Sequence, residues 1–311
     1  MGPYPIVSLT QKVTIVPDGN TSSVNLDVNV TYPSNGPAPF PVLFMFNGFQ
    51  ARASWYGGIV RHVASWGYVV VQYTHTGLLP IVVDRVELGY LSPLLAWVGA
   101  RGRADGSPLR GLPDTARLVV MGHSRGGKLA ALHFAGRRDI SAAVLLDPID
   151  NTSMAPEGPD YPSAAKALAA ANRTAAIVGS GVNGSCNPAG ANYPKFFTAM
   201  APGSWQMVVK QAGHMQYCRT GNPLLDWGFD KLCGKGRISA QEVITDAAAF
   251  AVAWLELSFR AKQAQSGLAR FKGWVQSQVA SGAVSFDVKE APVTAPATSA
   301  GGRAASQVPR A

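Results

Sequence analysis

The chain has few charged residues. Only 14% of its 311 residues are Asp, Glu, Lys or Arg, against about 25% in typical soluble domains. Its apolar fraction of 47% is ordinary, which excludes a chain that is disordered throughout and leaves ample length for a buried core. The net charge is +9, which suits anionic surfaces. Because no basic run with interleaved aromatic residues occurs, we expect no nucleic-acid partner.

Cysteine is scarce, and long apolar runs are absent. Three cysteines, Cys186, Cys218 and Cys233, are too few for a disulfide framework and match no zinc or redox spacing. We expect free thiols, with a bridge from Cys186 to one of the others as the alternative. No apolar run reaches the length of about 18 residues that a membrane span needs. The first ten residues also lack the features of a secretory signal, so no targeting segment is visible.

The order of apolar runs predicts an α/β fold. An antiparallel hairpin is expected at residues 12–16 and 24–31, on either side of a Pro-Asp-Gly-Asn turn. Further strands are expected at residues 42–46, 68–73, 118–121, 142–146, 175–178 and 205–210. Helices are expected at residues 56–65, 82–100, 126–135, 164–171, 194–200 and 240–259. Strands that alternate with helices indicate a mostly parallel central sheet covered on both faces.

Composition also predicts the domain boundary. We expect residues 1–280 to form a single domain and residues 281–311, which are rich in Ala, Pro, Ser, Thr and Gly, to form a disordered tail. The segment 148–163 is too long for a simple connection, and such a loop often shapes a substrate pocket.

The segment Gly122-His123-Ser124-Arg125-Gly126 carries a nucleophile motif. An apolar strand precedes it and an Ala- and Leu-rich helix follows it, which is the context of the Gly-x-Ser-x-Gly elbow. At the elbow the serine backbone is strained so that Oγ is exposed, and side chains at the flanking glycines would collide with the neighbouring strand and helix. We therefore predict that Ser124 is the nucleophile of a hydrolase.

A histidine base must follow the serine in this fold. Only His133 and His214 lie after Ser124. His133 is nine residues into the following helix, about 13 Å along its axis at 1.5 Å per residue, which is too far to reach the serine. His214, which follows a predicted strand in a Gly-His-Met loop, is the predicted base.

The acid is predicted from the strand ends. The usual position, after the strand at 175–178, has no carboxylate. The preceding strand ends in Asp147-Pro148-Ile149-Asp150, so Asp147 is the predicted acid. Asp150 is the alternative, and Asp147 could instead cap the following turn.

An oxyanion hole needs two backbone N–H donors. We expect one from Arg125, the residue after the nucleophile, and one from Phe49, in the Asn47-Gly48-Phe49 loop. Side chains expected to line an apolar substrate pocket next to Phe49 are Tyr56, Leu78, Leu79 and Met215.

The sequence resembles the chlorophyllase family. The elbow matches the family's GHSRGG signature, and further matches keep the family order over about residues 40–260. They include Asn47-Gly48-Phe49 for His-Gly-Phe, Asp147-Pro148-Ile149-Asp150, the segment from Cys186 to Phe197, and Gly213-His214-Met215. The chain departs from the family pattern at Asn47, where the family has histidine, and at Gln216, where the family has aspartate.

The resemblance implies an α/β-hydrolase that cleaves the phytyl ester of chlorophyll to give chlorophyllide and phytol, with Ser124, Asp147 and His214 as the catalytic triad. It implies no metal or organic cofactor, chlorophyll and related phytylated pigments as partners, peripheral contact with a membrane, and a chloroplast location. The alternatives are a general lipase or polyester hydrolase of the same fold and a non-catalytic protein that uses the elbow as a ligand pocket.

Overall fold

The strands of the described residues form one nine-stranded sheet. A computed structural model describes residues 1–75, 81–262 and 264–291. In chain order the strands are β1 (Ile6–Ile15), β2 (Val24–Pro33), β3 (Phe40–Phe46), β4 (Val69–His75), β5 (Pro113–His123), β6 (Ile140–Leu146), β7 (Ala176–Val182), β8 (Trp205–Gly213) and β9 (Val284–Val288). Their order across the sheet is β1-β2-β4-β3-β5-β6-β7-β8-β9.

Six neighbouring strands, from β4 to β8 across the sheet, are parallel. The hairpin β1–β2 is antiparallel and joins the sheet through β4, and β9 pairs antiparallel with β8. The predicted mostly parallel sheet with an N-terminal hairpin is therefore confirmed.

Helices cover both faces of the sheet. They are α1 (Gly57–Ala64), α2 (Asp84–Leu88), α3 (Leu91–Arg103), α4 (Arg125–Gly136), α5 (Ala164–Ala171), α6 (Tyr193–Ala199), α7 (Pro223–Cys233), α8 (Ala240–Arg260) and α9 (Gln265–Ala280). Alternate residues of β3 belong to two separate apolar cores, Phe44 on one face of the sheet and Leu43 on the other. This two-sided burial explains why the parallel strands are apolar throughout.

The single helix predicted at residues 82–100 is two helices, α2 and α3. The break is at Gly89, whose carbonyl accepts a hydrogen bond from Asp18 N–H at 2.9 Å. A Cβ at Gly89 would lie 2.7 Å from the Asp18 carbonyl oxygen, so the hairpin turn packs directly on the helix break. Tertiary contact thus interrupts a pattern that is helical in the sequence.

The predicted tail boundary at residue 281 is wrong. Val284 is buried and pairs with Val209, and Phe286 packs edge-on against Trp205 with ring centroids 5.6 Å apart. Residues 284–288 are thus an edge strand, because the alternation of Val284, Phe286 and Val288 gives them one apolar face. The later part of the predicted tail, from residue 292, lies outside the described residues.

The expectation of three free thiols is wrong, and its alternative, a bridge from Cys186 to one of the other cysteines, is the arrangement found. Cys186 and Cys233 form a disulfide, and only Cys218 is a free, buried thiol. The bridge joins the C-terminal end of α7 to the loop before α6. Helix α7 has no counterpart in the sequence prediction, so nothing there indicated which of the other two cysteines would be the partner of Cys186.

Candidate functional site

Ser124 sits at a sharp turn between β5 and α4. Its backbone has φ 57° and ψ −127°, a conformation that residues other than glycine rarely adopt. A Cβ at Gly122 would lie 2.1 Å from the Gly126 carbonyl oxygen, and one at Gly126 would lie 2.2 Å from the Phe46 carbonyl oxygen. Only glycine fits at these two positions, because strand β3, strand β5 and helix α4 approach closely around the serine.

The structure brings Ser124, His214 and Asp147 together in one hydrogen-bonded chain. Ser124 Oγ lies 2.9 Å from His214 Nε2, and His214 Nδ1 lies 2.7 Å from Asp147 Oδ2. His214 and Asp147 are buried, whereas Ser124 is partly exposed. Because Nδ1 donates to the carboxylate, Nε2 has its lone pair free to accept the serine proton.

Asp147 is held in place from both sides. Its Oδ1 accepts a hydrogen bond from Ser180 N–H at 3.0 Å, and its Oδ2 accepts one from the Asn187 side-chain amide at 3.2 Å. Its backbone has φ 40°, so this residue, like Ser124, is in a strained turn at the carboxyl end of its strand. The carboxylate therefore has a fixed orientation toward His214.

Asp150, the alternative acid, contacts a different part of the fold. It accepts hydrogen bonds from Ser163 Oγ at 2.8 Å and from Ala164 N–H at 2.9 Å, and it pairs with Lys195 Nζ at 2.9 Å. Burial alone would raise the pKa of Asp150, but Lys195 and the two donors keep that pKa below its usual value. Asp150 thus stabilises the start of α5, and Asp147 is the carboxylate that meets the histidine.

His123 connects three segments around Ser124. Its Nε2 lies 2.9 Å from the His214 carbonyl oxygen, and its Nδ1 lies 3.0 Å from the Tyr56 hydroxyl, which accepts a hydrogen bond from Gly48 N–H at 2.9 Å. A carbonyl only accepts, so Nε2 carries the proton and Nδ1 accepts from Tyr56. Burial, with a smaller contribution from His214, lowers the pKa of His123 to about 3, so the ring is neutral.

The two predicted oxyanion donors lie on the segments that flank Ser124. Arg125 is the first residue of α4, where a backbone N–H has no partner within the helix. Phe49 follows Gly48, and a Cβ placed on Gly48 would lie 3.5 Å from Ser124 Cβ. The Asn47-Gly48-Phe49 loop therefore passes next to the nucleophile, and the Asn47 side chain anchors it by donating to the Tyr73 carbonyl.

The side chain of Arg125 belongs to a buried ionic cluster. Its Nε lies 2.7 Å from Asp84 Oδ1, and its Nη1 contacts Glu87. Lys128, only 2% exposed, pairs with Asp84 at 2.8 Å. Burial would raise the pKa of Glu87, but the Arg125 charge holds that pKa at about 2. The elbow helix α4 is thus joined to α2 by charged groups that share one buried site.

The predicted pocket is only partly supported. Tyr56 is 1% exposed and packs in the apolar core, where its hydroxyl accepts a hydrogen bond from Gly48 N–H and donates one to His123. It therefore stabilises the loop behind the site and does not line a pocket. Met215 is half-buried and packs on the same core. Phe49 is 53% exposed. Leu78 and Leu79 lie outside the described residues.

Sequence reasoning missed the residues that hold the chain of hydrogen bonds in place. His123 was noted only as part of a signature, and Asn187 and Ser180 were not singled out. Asn187 belongs to a loop whose position depends on tertiary packing. His123, however, directly precedes the nucleophile, so its contact with the loop of the base could have been suspected.

The arrangement can perform acyl transfer. A serine hydroxyl bound to a histidine, which is oriented by a buried carboxylate, is the constellation that attacks ester and amide carbonyls. In the described residues no helix has the length and apolarity needed to cross a bilayer.

A family model described as chlorophyllase matches residues 7–272. Chlorophyllase-1 from Arabidopsis thaliana is 25% identical over 257 residues, 76% of this chain and 78% of its own. "Chlorophyllase-1, chloroplastic" from Citrus sinensis is 26% identical over 231 residues, 71% of this chain and 69% of its own. Chlorophyllase-2 from Arabidopsis thaliana is 25% identical over 195 residues, 57% of this chain, and the match spans 60% of that relative's length.

Among solved structures, a ferulic acid esterase from Streptomyces cinnamoneus has a similar fold. It superposes with a TM-score of 0.60 and 18% identity, covering 83% of this chain and 91% of the esterase. This likeness confirms the predicted α/β-hydrolase fold.

Proposed function

Because this chain belongs to the chlorophyllase family of carboxylic ester hydrolases, we propose that it cleaves the phytyl ester of chlorophyll to give chlorophyllide and phytol. The observation that carries the proposal is the hydrogen-bonded chain from Ser124 through His214 to Asp147. The relatives named chlorophyllase, each about 25% identical, support the choice of substrate.

The first half of the reaction forms an acyl-enzyme. Ser124 Oγ attacks the propionate carbonyl carbon while His214 Nε2 takes the hydroxyl proton, and Asp147 stabilises the imidazolium that results. The negative charge on the carbonyl oxygen is held by the backbone N–H groups of Arg125 and Phe49. When the tetrahedral intermediate collapses, the bond to the phytyl oxygen breaks and His214 returns its proton to that oxygen, so phytol leaves.

The second half returns the enzyme to its starting state. His214 removes a proton from water as the water oxygen attacks the acyl carbon. Collapse then breaks the bond to Ser124 Oγ, and His214 protonates the serine. Chlorophyllide leaves with a free propionate. No step in this sequence calls for a metal ion or an organic cofactor.

We also propose a chloroplast location, because the substrate is found there and because a citrus relative is named chloroplastic. Imaging of a fluorescent fusion in plant or algal cells tests this directly. Exclusion of the fusion from chloroplasts would overturn it.

The substrate is tested by pigment separation. Purified protein and a Ser124→Ala variant are incubated with chlorophyll a in mild detergent and, in parallel, with a short p-nitrophenyl ester. We expect chlorophyllide from the wild type alone. Cleavage of the short ester without chlorophyllide would overturn the substrate and favour a general lipase or polyester hydrolase, and no reaction with either would favour a binding protein.

A further inference from the structure

Helix α7 presents large apolar side chains to solvent. The exposed fraction is 73% for Leu224, 48% for Leu225, 60% for Trp227 and 59% for Leu232. An isolated helix of 11 residues is only marginally stable in water. Contacts with the rest of the protein must therefore stabilise α7. They are few, and they leave most of the helix surface exposed.

Those contacts are at the two ends and on one side. The Asn222 side chain caps the N-terminal end by accepting from Leu224 N–H and Leu225 N–H. At the other end, the Cys186–Cys233 disulfide attaches the helix to the loop before α6. Between them, the Phe229 ring packs against Trp55 with centroids 5.9 Å apart. The helix is thus fixed with its apolar side chains facing outward.

The acidic side chains of α7 are separated from the exposed leucines Leu224 and Leu232, whereas Asp230 is three residues from Trp227 and neighbours it on the helix surface. Asp226 and Asp230 are four residues apart and share one side of the helix. Each lies two residues from an exposed leucine, Leu224 or Leu232, and residues two apart point in nearly opposite directions, at about 200°. The helical cation Lys231 instead lies above the exposed Trp227 ring, 5.9 Å from its centroid.

The residues around α7 are basic overall. Between residues 219 and 237 there are four basic and two acidic side chains, which leaves an excess of two positive charges. The acidic ones already have partners, since Asp226 accepts from Thr220 Oγ1 at 2.6 Å and Asp230 lies 4.0 Å from Lys235. The exposed basic side chains of this segment are Arg219, Lys231, Lys235 and Arg237.

The same helix is joined to the catalytic surroundings. Directly before α7, Arg219 N–H donates to the Trp55 carbonyl at 2.8 Å, and Trp55 is next to Tyr56, which supports the Gly48 loop. At the far end, the disulfide lies next to Asn187, which donates to Asp147. Any external surface that binds to α7 would therefore lie close to the segments that surround Ser124.

We propose that α7 is the face by which this protein docks on an anionic lipid bilayer, with Leu224, Trp227 and Leu232 inserted among the lipids. Exposed apolar side chains give the insertion, and the basic residues around them favour anionic headgroups. Tryptophan suits the boundary between headgroups and acyl chains. The inference rests on the proposed function in one respect, which is that a phytylated pigment would be reached from a membrane.

Vesicle flotation tests the docking face without any hydrolysis. The probes are phosphatidylcholine vesicles with and without phosphatidylglycerol. The variant Leu224→Gln/Trp227→Gln/Leu232→Gln changes only side chains that are mostly exposed, so its melting temperature should stay close to that of the wild type. The matched control, Val7→Thr/Val16→Thr/Val288→Thr, changes three exposed apolar residues of other elements.

We expect wild type and control to float with the anionic vesicles. The α7 variant should bind these vesicles at least roughly tenfold more weakly than the wild type. Lys231→Glu should weaken binding to anionic vesicles only. Trp227→Phe should bind but lose the fluorescence shift that lipid contact causes. A wild type that stays unbound, or an α7 variant that binds like the control, would overturn the docking face. A wild type that binds the vesicles but does not cleave chlorophyll would instead overturn the proposed function and leave the docking face standing.

Discussion

His123 Nε2 donates a hydrogen bond to the carbonyl oxygen of His214 at 2.9 Å. The residue next to the nucleophile therefore fixes the backbone of the histidine that binds the nucleophile. Because the other ring nitrogen of His123 is bound to Tyr56, which also holds Gly48 N–H, one neutral imidazole sets the mutual positions of the elbow, the base and the loop that carries Phe49. We infer that Tyr56 and His123 are positioning residues.

Tyr56→Phe tests this link. The substitution leaves Gly48 N–H and His123 Nδ1 buried without a partner, which costs about 1–3 kcal/mol for each group. We expect kcat for a soluble p-nitrophenyl ester to fall roughly tenfold, with a smaller change in KM, because the support of both the base and the Phe49 loop is loosened.

The matched control is Tyr68→Phe. Tyr68 is also fully buried, and its hydroxyl bonds to Glu256 far along the chain from the triad. This variant should lose stability but keep its kcat. Equal kcat values for the two variants would show that Tyr56 acts through stability alone.

Asp147→Asn and Asp150→Asn distinguish the two carboxylates. An amide at position 147 carries no negative charge to stabilise an imidazolium, and with its oxygen bound to Ser180 N–H its NH2 group faces Nδ1 and favours the wrong tautomer of His214. We therefore expect kcat to fall by a factor on the order of 10⁴. Asp150→Asn should keep most of the activity and lower the melting temperature, because Lys195 and the start of α5 lose a charged partner. Steady-state kinetics with a p-nitrophenyl ester gives kcat for both variants, and thermal denaturation gives the melting temperature. The reverse pattern would show that Asp150 is the acid.

The Cys186–Cys233 bridge closes a loop with a sequence separation of 47 residues. Loop entropy predicts that Cys186→Ser/Cys233→Ser lowers the free energy of unfolding by about 4 kcal/mol. Activity should also fall, since the bridge lies beside Asn187, which donates a hydrogen bond to Asp147. Chemical denaturation and ester kinetics measure the two effects. Cys218→Ser, which removes a thiol but no bridge, is the control, and a double variant no less stable than this control would contradict the expectation.

Stability should fall as the solution becomes acidic. Burial, with a smaller contribution from Arg137, lowers the pKa of His133 to about 3 in the folded protein, against about 6.5 in an unfolded chain. Between these values unfolding takes up a proton, so the stabilisation is complete above pH 6.5 and is lost as the pH falls toward 3.

His133→Phe removes that titration. His133 stacks on Phe46 and takes no part in the hydrogen bonds that join Ser124, His214 and Asp147, so the variant separates stability from activity. Between pH 7.5 and pH 5 we expect the unfolding free energy of the wild type to fall by about 2 kcal/mol more than that of the variant. Denaturant titrations at the two pH values measure the difference. Parallel pH profiles for the two proteins would contradict a buried neutral His133.

The sequence was sufficient for the parts of the site that follow chain order. Ser124, His214 and Asp147 were found because β5, β6 and β8 are apolar runs whose ends meet at one sheet edge. The supports of the site were not found in this way. Tyr56 and His123 are 67 residues apart, and their contact depends on how α1 packs against the sheet.

The elements that the sequence analysis missed share a physical cause. Strand β9 is short and lies at an edge, with its apolar residues alternating within a segment whose overall composition resembles a linker. Helix α7 exposes its apolar side chains, so it lacks the usual signal of one buried face. The partner of Cys186 in the disulfide could not be assigned, because the position of Cys233 depends on where α7 ends.

The most direct test of the account is active-site titration with an organophosphonate during chlorophyll hydrolysis. The account predicts that one phosphonate binds per chain, that it is found on the peptide containing Ser124, and that the fraction of chlorophyllide-forming activity lost equals the fraction of chains labelled. Chlorophyllide formation that survives complete labelling of Ser124, or loss of activity with the label on another residue, would contradict it.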